Sequence, residues 1–371
     1  MYLFMFNIFL SFKTYTIALK KEPVYALKLF RLKYIMPGTK EINNNSNSSV
    51  IKLKHLVQAD LEKVNQIILN YAKSEVTELI PTITNYITNS GGKRIRPILT
   101  LACAHMFDIK TSRHVLLATS VEFIHTATLL HDDVIDESST RRGVATANQL
   151  WGNKASILVG DYLFSQAFRL MVETSSIQAL KILSNASAII SEGEVWQLSN
   201  ISNINITKEN YFKLIRSKTA QLFSAACEVG AVIADGEPEY TEALAQYGMN
   251  LGMAFQIVDD VLDYTTNDEQ FGKEAGGDFR EGKVTLPFII ALSNADEGDR
   301  KFLETVITSE NKDSMFLECV KILKAYDAFD KALNIARQFV EQGLEALEIC
   351  PDSETKLLFK NLIIELLNRS H

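Results

Sequence analysis

The chain has 371 residues, 47% of them hydrophobic, and a formal net charge of −7. That apolar content suffices for one large core or two smaller ones, and the acidic balance excludes a general nucleic-acid binder, so basic residues that matter must act locally. Cys103, Cys227, Cys319 and Cys350 show neither metal-ligand nor redox spacing, which predicts free buried thiols in a reducing compartment, read as the cytoplasm.

The N-terminus stands apart. Met1 to Leu10 is apolar and aromatic, but Lys13, Lys20 and Lys21 follow too soon for a bilayer span. It also lacks the basic start and small-residue cleavage site of a signal peptide. Met36 precedes a polar linker, EINNNSNSS, from Glu41 to Ser49. Two readings stay open: translation starting near Met36, and a leader that touches a membrane. Residues 1–49 are expected to lie outside the fold, and residues 50–371 to form one helical domain.

From Val50 to Tyr71 apolar residues recur at three and four, predicting one long amphipathic helix. A short helix ends at Asn89. Ser90 to Pro97, SGGKRIRP, then breaks the pattern: paired glycines free the backbone, and Lys93, Arg94 and Arg96 cluster beside a helix start, an arrangement that suits an anion or, equally, an ordinary solvated turn. Ser112 to Ile135 reads as the next long helix.

That helix ends in HDDVIDESSTRRG. Asp132 and Asp136 are four apart, so on a helix they share a face about one turn, roughly 5.4 Å, apart. Unpaired carboxylates at that spacing repel. A hard divalent cation such as Mg²⁺ removes the repulsion, and completes its shell with water and substrate phosphates. Arg141 and Arg142 just beyond supply forked donors for phosphate oxygens, so Asp132, Asp133 and Asp136 mark a candidate diphosphate site. His125 lies two turns deeper on the same stripe, either a satisfied core residue or a donor to phosphate.

Helices at Lys154 to Glu173 and Ile177 to Leu198 follow, the second carrying Glu192, Glu194 and Gln197. Thr207 to Gly230 begins like a capped helix and includes Lys218 and Thr219; a snorkelling surface lysine is the plain reading of Lys218. Glu239 to Tyr264 repeats the acidic constellation as FQIVDDVLDY. Gln256, Asp259, Asp260 and Asp263 fall on one stripe, while Ile257, Val258, Val261 and Leu262 fill other faces. One acidic cluster can be a solvated turn; two, each closing an apolar helix, need neutralising partners. Asn267 to Pro287 is a long irregular stretch with four glycines, Lys273 and Lys283, either a lid over phosphates or a flexible surface loop. Helical periodicity resumes to Leu367. No stretch alternates with a period of two, so the fold class is all-α, a large bundle of roughly a dozen helices.

These motifs resemble those of the trans-isoprenyl (polyprenyl) diphosphate synthases. GGKRIRP, HDDVID with RRG behind it, KTA at Lys218 to Ala220, FQIVDDVLD and GKVTLP occur in the family's order over roughly residues 50 to 370. HDDVIDESSTRRGVATAN, LVGDYLFSQAF and EGEVWQL are most similar to the long-chain bacterial members that make octaprenyl diphosphate for the ubiquinone side chain. The resemblance implies a bundle of the isoprenoid synthase type and a chain-elongating prenyltransferase acting on isopentenyl diphosphate and an allylic primer such as farnesyl diphosphate. It implies that Asp132 and Asp136, with Asp133 in support, and Asp259 and Asp263, beside Asp260, hold three Mg²⁺ ions. Arg141, Lys218, Thr219, Gln256, Lys273 and Lys283 would contact the allylic diphosphate, and Lys93, Arg96, His125 and Arg142 isopentenyl diphosphate. The small Ala127 and Thr128 would leave the path open for a long product tail. Homodimerisation is a family property, and an apolar product suits transient contact with a membrane surface. A class I terpene cyclase and a non-catalytic helical scaffold are the rival readings. The second Asp-Asp-x-x-Asp, the GGKRIRP site and the filled ligand positions argue against both.

Overall fold

The computed structural model describes residues 48–107, 109–201, 203–265, 276–309 and 311–368. The leader before residue 48 and Lys273 therefore lie outside the described residues. Seventeen α-helical segments and one two-residue hairpin account for the regular structure among the described residues, so the all-α expectation holds, with more helices than the rough dozen read from periodicity.

The extra helices come from local breaks. Val57, at φ −107° and ψ 16°, divides the expected first helix into α1 (Ser49–Leu56) and α2 (Gln58–Tyr71). Then come α3 (Leu79–Asn89), α4 (Ile95–His105) and α5 (Arg113–Ile135). Strands β1 (Thr140–Arg141) and β2 (Val144–Ala145) pair antiparallel, Thr140 with Ala145 and Arg141 with Val144. Positive φ at both Arg142 (54°) and Gly143 (76°) makes the connection a type I′ turn, whose twist suits a two-residue hairpin. Two-residue strands are too short to leave an alternating pattern, which is why the sequence showed none.

Next are α6 (Ala147–Trp151), α7 (Asn153–Glu173), α8 (Ile177–Leu198) and α9 (Lys208–Ile215). Thr207 caps α9, its side chain accepting from Asn210 N at 3.2 Å. A single π-helical turn, Arg216–Ala220, separates α9 from α10 (Gln221–Ile233), so the helix expected from Thr207 to Gly230 is not continuous. The chain continues through α11 (Pro238–Thr265), the short α12 (Gly277–Arg280), α13 (Leu286–Asn294), α14 (Glu297–Thr308), α15 (Phe316–Ala325), α16 (Ala328–Ala346) and α17 (Glu354–Leu367).

The architecture is built around α5 and α11. Helix α5 packs on α4, α7 and α10, and α11 packs on α10 and α16. Helix α11 serves two apolar cores in succession. Leu244, Tyr247, Leu251 and Ala254 join one that includes Phe123, Leu163 and Phe359; Ile257, Val261 and Tyr264 join another with Phe279, Phe288 and Leu323. The stripe left over at its C-terminal end is the acidic one.

Two polar anchors fix the periphery. The Ser49 hydroxyl donates to Glu365 at 2.6 Å, tying α1 to α17. On α2, Asp60 accepts from Lys63 at 2.8 Å, His105 at 2.8 Å and His114 at 2.9 Å, locking α2 to α4 and α5. Burial alone would raise the Asp60 carboxyl, but these bonds hold it well below the usual carboxylate range. Among the described residues no helix is long and apolar enough to cross a membrane.

Candidate active site

The three acids ending α5 diverge. Asp133 is only 2% exposed and turns inward, where Arg141 Nε donates to its Oδ1 at 2.7 Å and Asn148 Nδ2 donates to its carbonyl at 3.1 Å. This pair braces the hairpin against α5. Asp132 and Asp136, the C-cap residue, remain at the mouth. Burial pushes Asp132 up to about 6; Glu194 and Asp136 add to the rise, and Lys218 and Arg141 offset part of it.

Lys218 Nζ donates to Glu194 Oε2 at 2.8 Å and stands 4.0 Å from Asp132 Oδ2. It is an inward lysine, not the snorkelling surface residue of the plain reading. The π turn aims it. A Cβ at Gly193 on α8 would meet Ser217 Oγ at 2.4 Å, so only glycine lets the turn come this close. Single π turns of this kind occur often at functional sites.

On α11 the stripe also divides. Asp260, 3% exposed, accepts from the Tyr211 hydroxyl at 2.6 Å and from Gln256 Nε2 at 2.8 Å. Gln256 Oε1 accepts in turn from Thr219 Oγ1 at 2.7 Å. Burial, and then the charge of Asp278, drive the Asp260 carboxyl well above its usual range. Asp260 therefore fixes Gln256 and Thr219, while Asp259 is exposed. The Asp263 carboxylate accepts from Gly277 N at 3.1 Å and Asp278 N at 3.0 Å, holding the end of the glycine-rich segment onto α11.

Lys283 joins the two acidic ends. Its Nζ donates to Asp136 Oδ2 at 3.1 Å and lies 3.8 Å from Asp278 Oδ1, with Glu281 at 2.5 Å. Burial alone would lower this ammonium, but Asp278, Asp136 and Glu281 outweigh it and hold it above the usual lysine range. The chain Asp136, Lys283, Asp278, Asp263 thus spans one mouth. Beside it an open pocket is lined by Lys218, Gln256, Asp278 and Lys283 together with apolar side chains such as Trp196 and Leu214.

A second cationic group lies deeper along α5. Arg96 Nη1 is 3.3 Å from His125 Nε2. Guanidinium can only donate, so Nε2 accepts and Nδ1 carries the ring hydrogen. Burial, then Arg96, Arg142 and Arg141, push His125 well below its usual range, so it is neutral. Arg142 donates to the Gly91 carbonyl, and Gly92, at φ 140°, leaves room for it: a Cβ there would meet Arg142 Nη1 at 2.6 Å. Arg94, at φ 48°, turns back onto Glu122 at 3.1 Å, and Lys93 is exposed on the same turn. Ala127 is 1% exposed in the larger core, and Thr128, half-buried, donates to the His125 carbonyl at 2.9 Å.

Three participants escaped the sequence reading. Glu194 was named only as one of the polar residues carried by α8; Asp278 and Glu122 drew no comment. Asp278 had a signal in GGDFREGK, an acid five residues before Lys283 inside the glycine-rich segment. Nothing local marks Glu122, whose partners lie on other elements.

An all-helical bundle in which two acid-ending helices share a mouth bridged by lysine, with a separate arginine and histidine cluster behind, defines an isoprenoid-synthase class of fold and site. Residues 77–323 match the polyprenyl synthetase family. The chain is 40% identical over 302 residues to octaprenyl diphosphate synthase of Escherichia coli K12, covering 81% of this chain and 93% of that protein. It is 38% identical to an all-trans-nonaprenyl-diphosphate synthase (geranyl-diphosphate specific) of Rhodobacter capsulatus, over 84% and 96% of the two chains. Among solved structures it is similar to a decaprenyl diphosphate synthase from Rhodobacter capsulatus, with 42% identity, a TM-score of 0.83 and coverage of 87% and 99%. A polyprenyl synthase from Caulobacter crescentus CB15 complexed with calcium and isoprenyl diphosphate gives 40% identity, a TM-score of 0.83 and coverage of 88% and 100%. The chain belongs to the polyprenyl synthetase family.

Proposed function

We infer that this chain is a trans-prenyltransferase that joins an allylic diphosphate to isopentenyl diphosphate and repeats the step to build a long all-trans polyprenyl diphosphate. The observation that carries the reading is the pairing of two separate anion sites on one helix: the lysine-bridged acidic mouth at the end of α5, and the Arg96, His125 and Arg142 cluster behind it. A cyclase needs only the first. Relatives at 40% identity named octaprenyl diphosphate synthase support octaprenyl as the product, destined for a quinone side chain, with farnesyl diphosphate as primer.

Divalent metal fits the mouth. Its donors are hard carboxylate oxygens, and Asp132 is held up to about 6 by burial and like charge, a strain that a bound cation relieves. Asp132, Asp136, Asp259 and Asp263 would hold Mg²⁺, with three ions per site as the proposed number. When bound, the metal neutralises charge on the leaving diphosphate.

The chain's own groups do the rest. Lys218, Lys283 and Arg141 receive the negative charge that develops as the allylic C–O bond breaks, with Lys273 assigned the same role. Thr219 and Gln256, ordered by Asp260, orient that diphosphate. Lys93, Arg96, Arg142 and the neutral His125, donating through Nδ1, hold isopentenyl diphosphate with its double bond toward the developing allylic cation. The new C–C bond forms from that double bond, and the adjacent carbon loses a proton to the departing diphosphate. No enzyme nucleophile is required.

The tail is proposed to extend past Ala127 and Thr128. The domain we assign to this activity spans residues 50–371 together with Ser49, whose hydroxyl ties α1 to α17. Ile157, Leu158 and Val172, exposed on α7, support homodimerisation, and the apolar product supports release at a membrane surface. Purified protein incubated with farnesyl diphosphate, labelled isopentenyl diphosphate and Mg²⁺ tests the proposal. Label in a long apolar product supports it; products formed without isopentenyl diphosphate would instead identify a cyclase.

A further inference from the structure

The deeper cluster holds one acid that the mechanism leaves unused. Arg94, Arg96 and Arg142 converge on it from two segments, and three guanidinium groups in a partly desolvated space repel one another. Glu122 is the counter-charge. It lies on α5 three residues before His125, so the two occupy neighbouring turns of one face. Its Oε1 accepts from Arg94 Nη1 at 3.1 Å, with 17% and 13% of the two side chains exposed. Burial pushes its carboxyl above the usual range, and the charges of Arg94, Arg96 and Arg142 pull it back in part.

The unmade bonds are the informative detail. Among the described residues, Glu122 Oε2 and Arg96 Nε are both buried without a hydrogen-bond partner. A buried group in that condition costs about 1–3 kcal/mol, and a guanidinium or carboxylate costs more. The Arg96 guanidinium otherwise meets His125 at 3.3 Å and the Phe223 ring, 4.3 Å from its Cζ. An incoming anion would accept from Arg96 Nε, a donor that is incomplete without one, whereas the Glu122 oxygen is an acceptor and serves as counter-charge to the arginines.

We propose that Glu122 is a positioning residue for isopentenyl diphosphate: its carboxylate holds Arg94 and Arg96 against their mutual repulsion, so that the diphosphate meets an assembled site. The proposal rests on assigning this cluster to isopentenyl diphosphate. Glu122 cannot touch that anion favourably itself, being negative, and acts through the arginines. Removing its charge frees Arg94 and Arg96 to spread, which weakens capture of the second substrate and leaves the acidic mouth untouched.

The test is steady-state kinetics of the full chain with both substrates varied. Glu122→Gln keeps the side-chain shape and is expected to raise KM for isopentenyl diphosphate by on the order of tenfold or more, the scale of one charge-assisted hydrogen bond. The allylic KM and kcat should stay within about twofold. Glu122→Asp, which keeps the charge one methylene shorter, should fall between wild type and Glu122→Gln; it also carries the test if the glutamine variant does not fold. An isopentenyl KM unchanged in whichever of the two variants folds overturns the proposal, as does a fall in kcat alone. Arg96→Lys in the same assay separates the two levels. If it raises the isopentenyl KM while the Glu122 variants do not, the site stands and the role of Glu122 falls. Should Arg96→Lys raise the allylic KM instead, the assignment of the cluster itself has failed.

Discussion

Gly193→Ala is the most discriminating single change at the mouth. The added Cβ would lie 2.4 Å from Ser217 Oγ and 2.9 Å from Ser217 Cβ. Ser217 cannot swing away cheaply, because its hydroxyl donates to the Lys213 and Leu214 carbonyls at 3.0 and 2.9 Å. The π turn must therefore retreat from α8, and relief of such overpacking costs about 1–3 kcal/mol. Lys218, the next residue, retreats with it and loses the 2.8 Å bond to Glu194 and its approach to Asp132. If that displacement is felt in the transition state, about 1.4–2.8 kcal/mol is lost, or roughly ten- to a hundredfold in kcat/KM for the allylic substrate. The isopentenyl KM should change little. The double variant Gly193→Ala/Ser217→Gly should recover activity, since the next atom, Lys218 N, is 3.6 Å from the new Cβ, an ordinary contact. Full activity in Gly193→Ala, with melting temperature lowered by the clash, would show that the π turn does not position Lys218.

Ala127→Phe should shorten the polyprenyl product sharply, as chromatography of the dephosphorylated chains would reveal; wild-type length would place the tail elsewhere. Chelation with EDTA should abolish turnover but leave helical circular dichroism unchanged, because Lys218 and Lys283 already pair with Glu194 and Asp136. Residual turnover in EDTA would remove metal from the mechanism. Asp60→Asn should destabilise the fold by about 1–3 kcal/mol at pH 7. The folded Asp60 carboxyl lies below its unfolded value, so its contribution is complete above the unfolded value and is lost as pH falls through the folded one. The gap between wild type and variant in urea unfolding should therefore narrow below about pH 4; a constant gap would mean the hydrogen-bonded cluster is not what stabilises.

Helix periodicity carried most of the fold, and its failures share a cause. Val57 and the Arg216–Ala220 turn interrupt helices whose apolar spacing runs on undisturbed, because spacing records which face is buried and not where one residue leaves helical φ/ψ, as Val57 does, or where the hydrogen-bond ladder slips by a residue, as in the π turn. The Arg142–Gly143 turn escaped similarly. Glycine after two arginines permits a positive-φ corner, but the strands it joins are two residues long, below the reach of any alternation.

At the site, residues that act as a local pattern were legible and those that act across elements were not. Asp132 with Asp136, and Gln256 with Asp259, Asp260 and Asp263, announce themselves by helical spacing. What spacing cannot assign is division of labour inside a motif. Asp133 and Asp260 are the middle acids of their triplets, and both turn inward: Asp133 onto Arg141, Asp260 onto Tyr211 and Gln256. That follows from helical geometry, since a residue one position along from a mouth-facing acid points about 100° away. The same constraint assigns each middle acid a supporting task on both helices, bracing a hairpin in one case and an amide in the other. Glu122, Glu194 and Asp278 carry the complementary lesson. Each is a single acid whose meaning lies in a cation two dozen residues or more away or across a turn, Arg94 and Lys218 for the first two and Lys283 for the third. A cationic diphosphate site must hold its lysines and arginines in place before any anion arrives. Isolated acids inside such a site are thus expected wherever several cations converge, and sequence spacing marks one only where, as with Asp278 and Lys283, acid and cation share a segment.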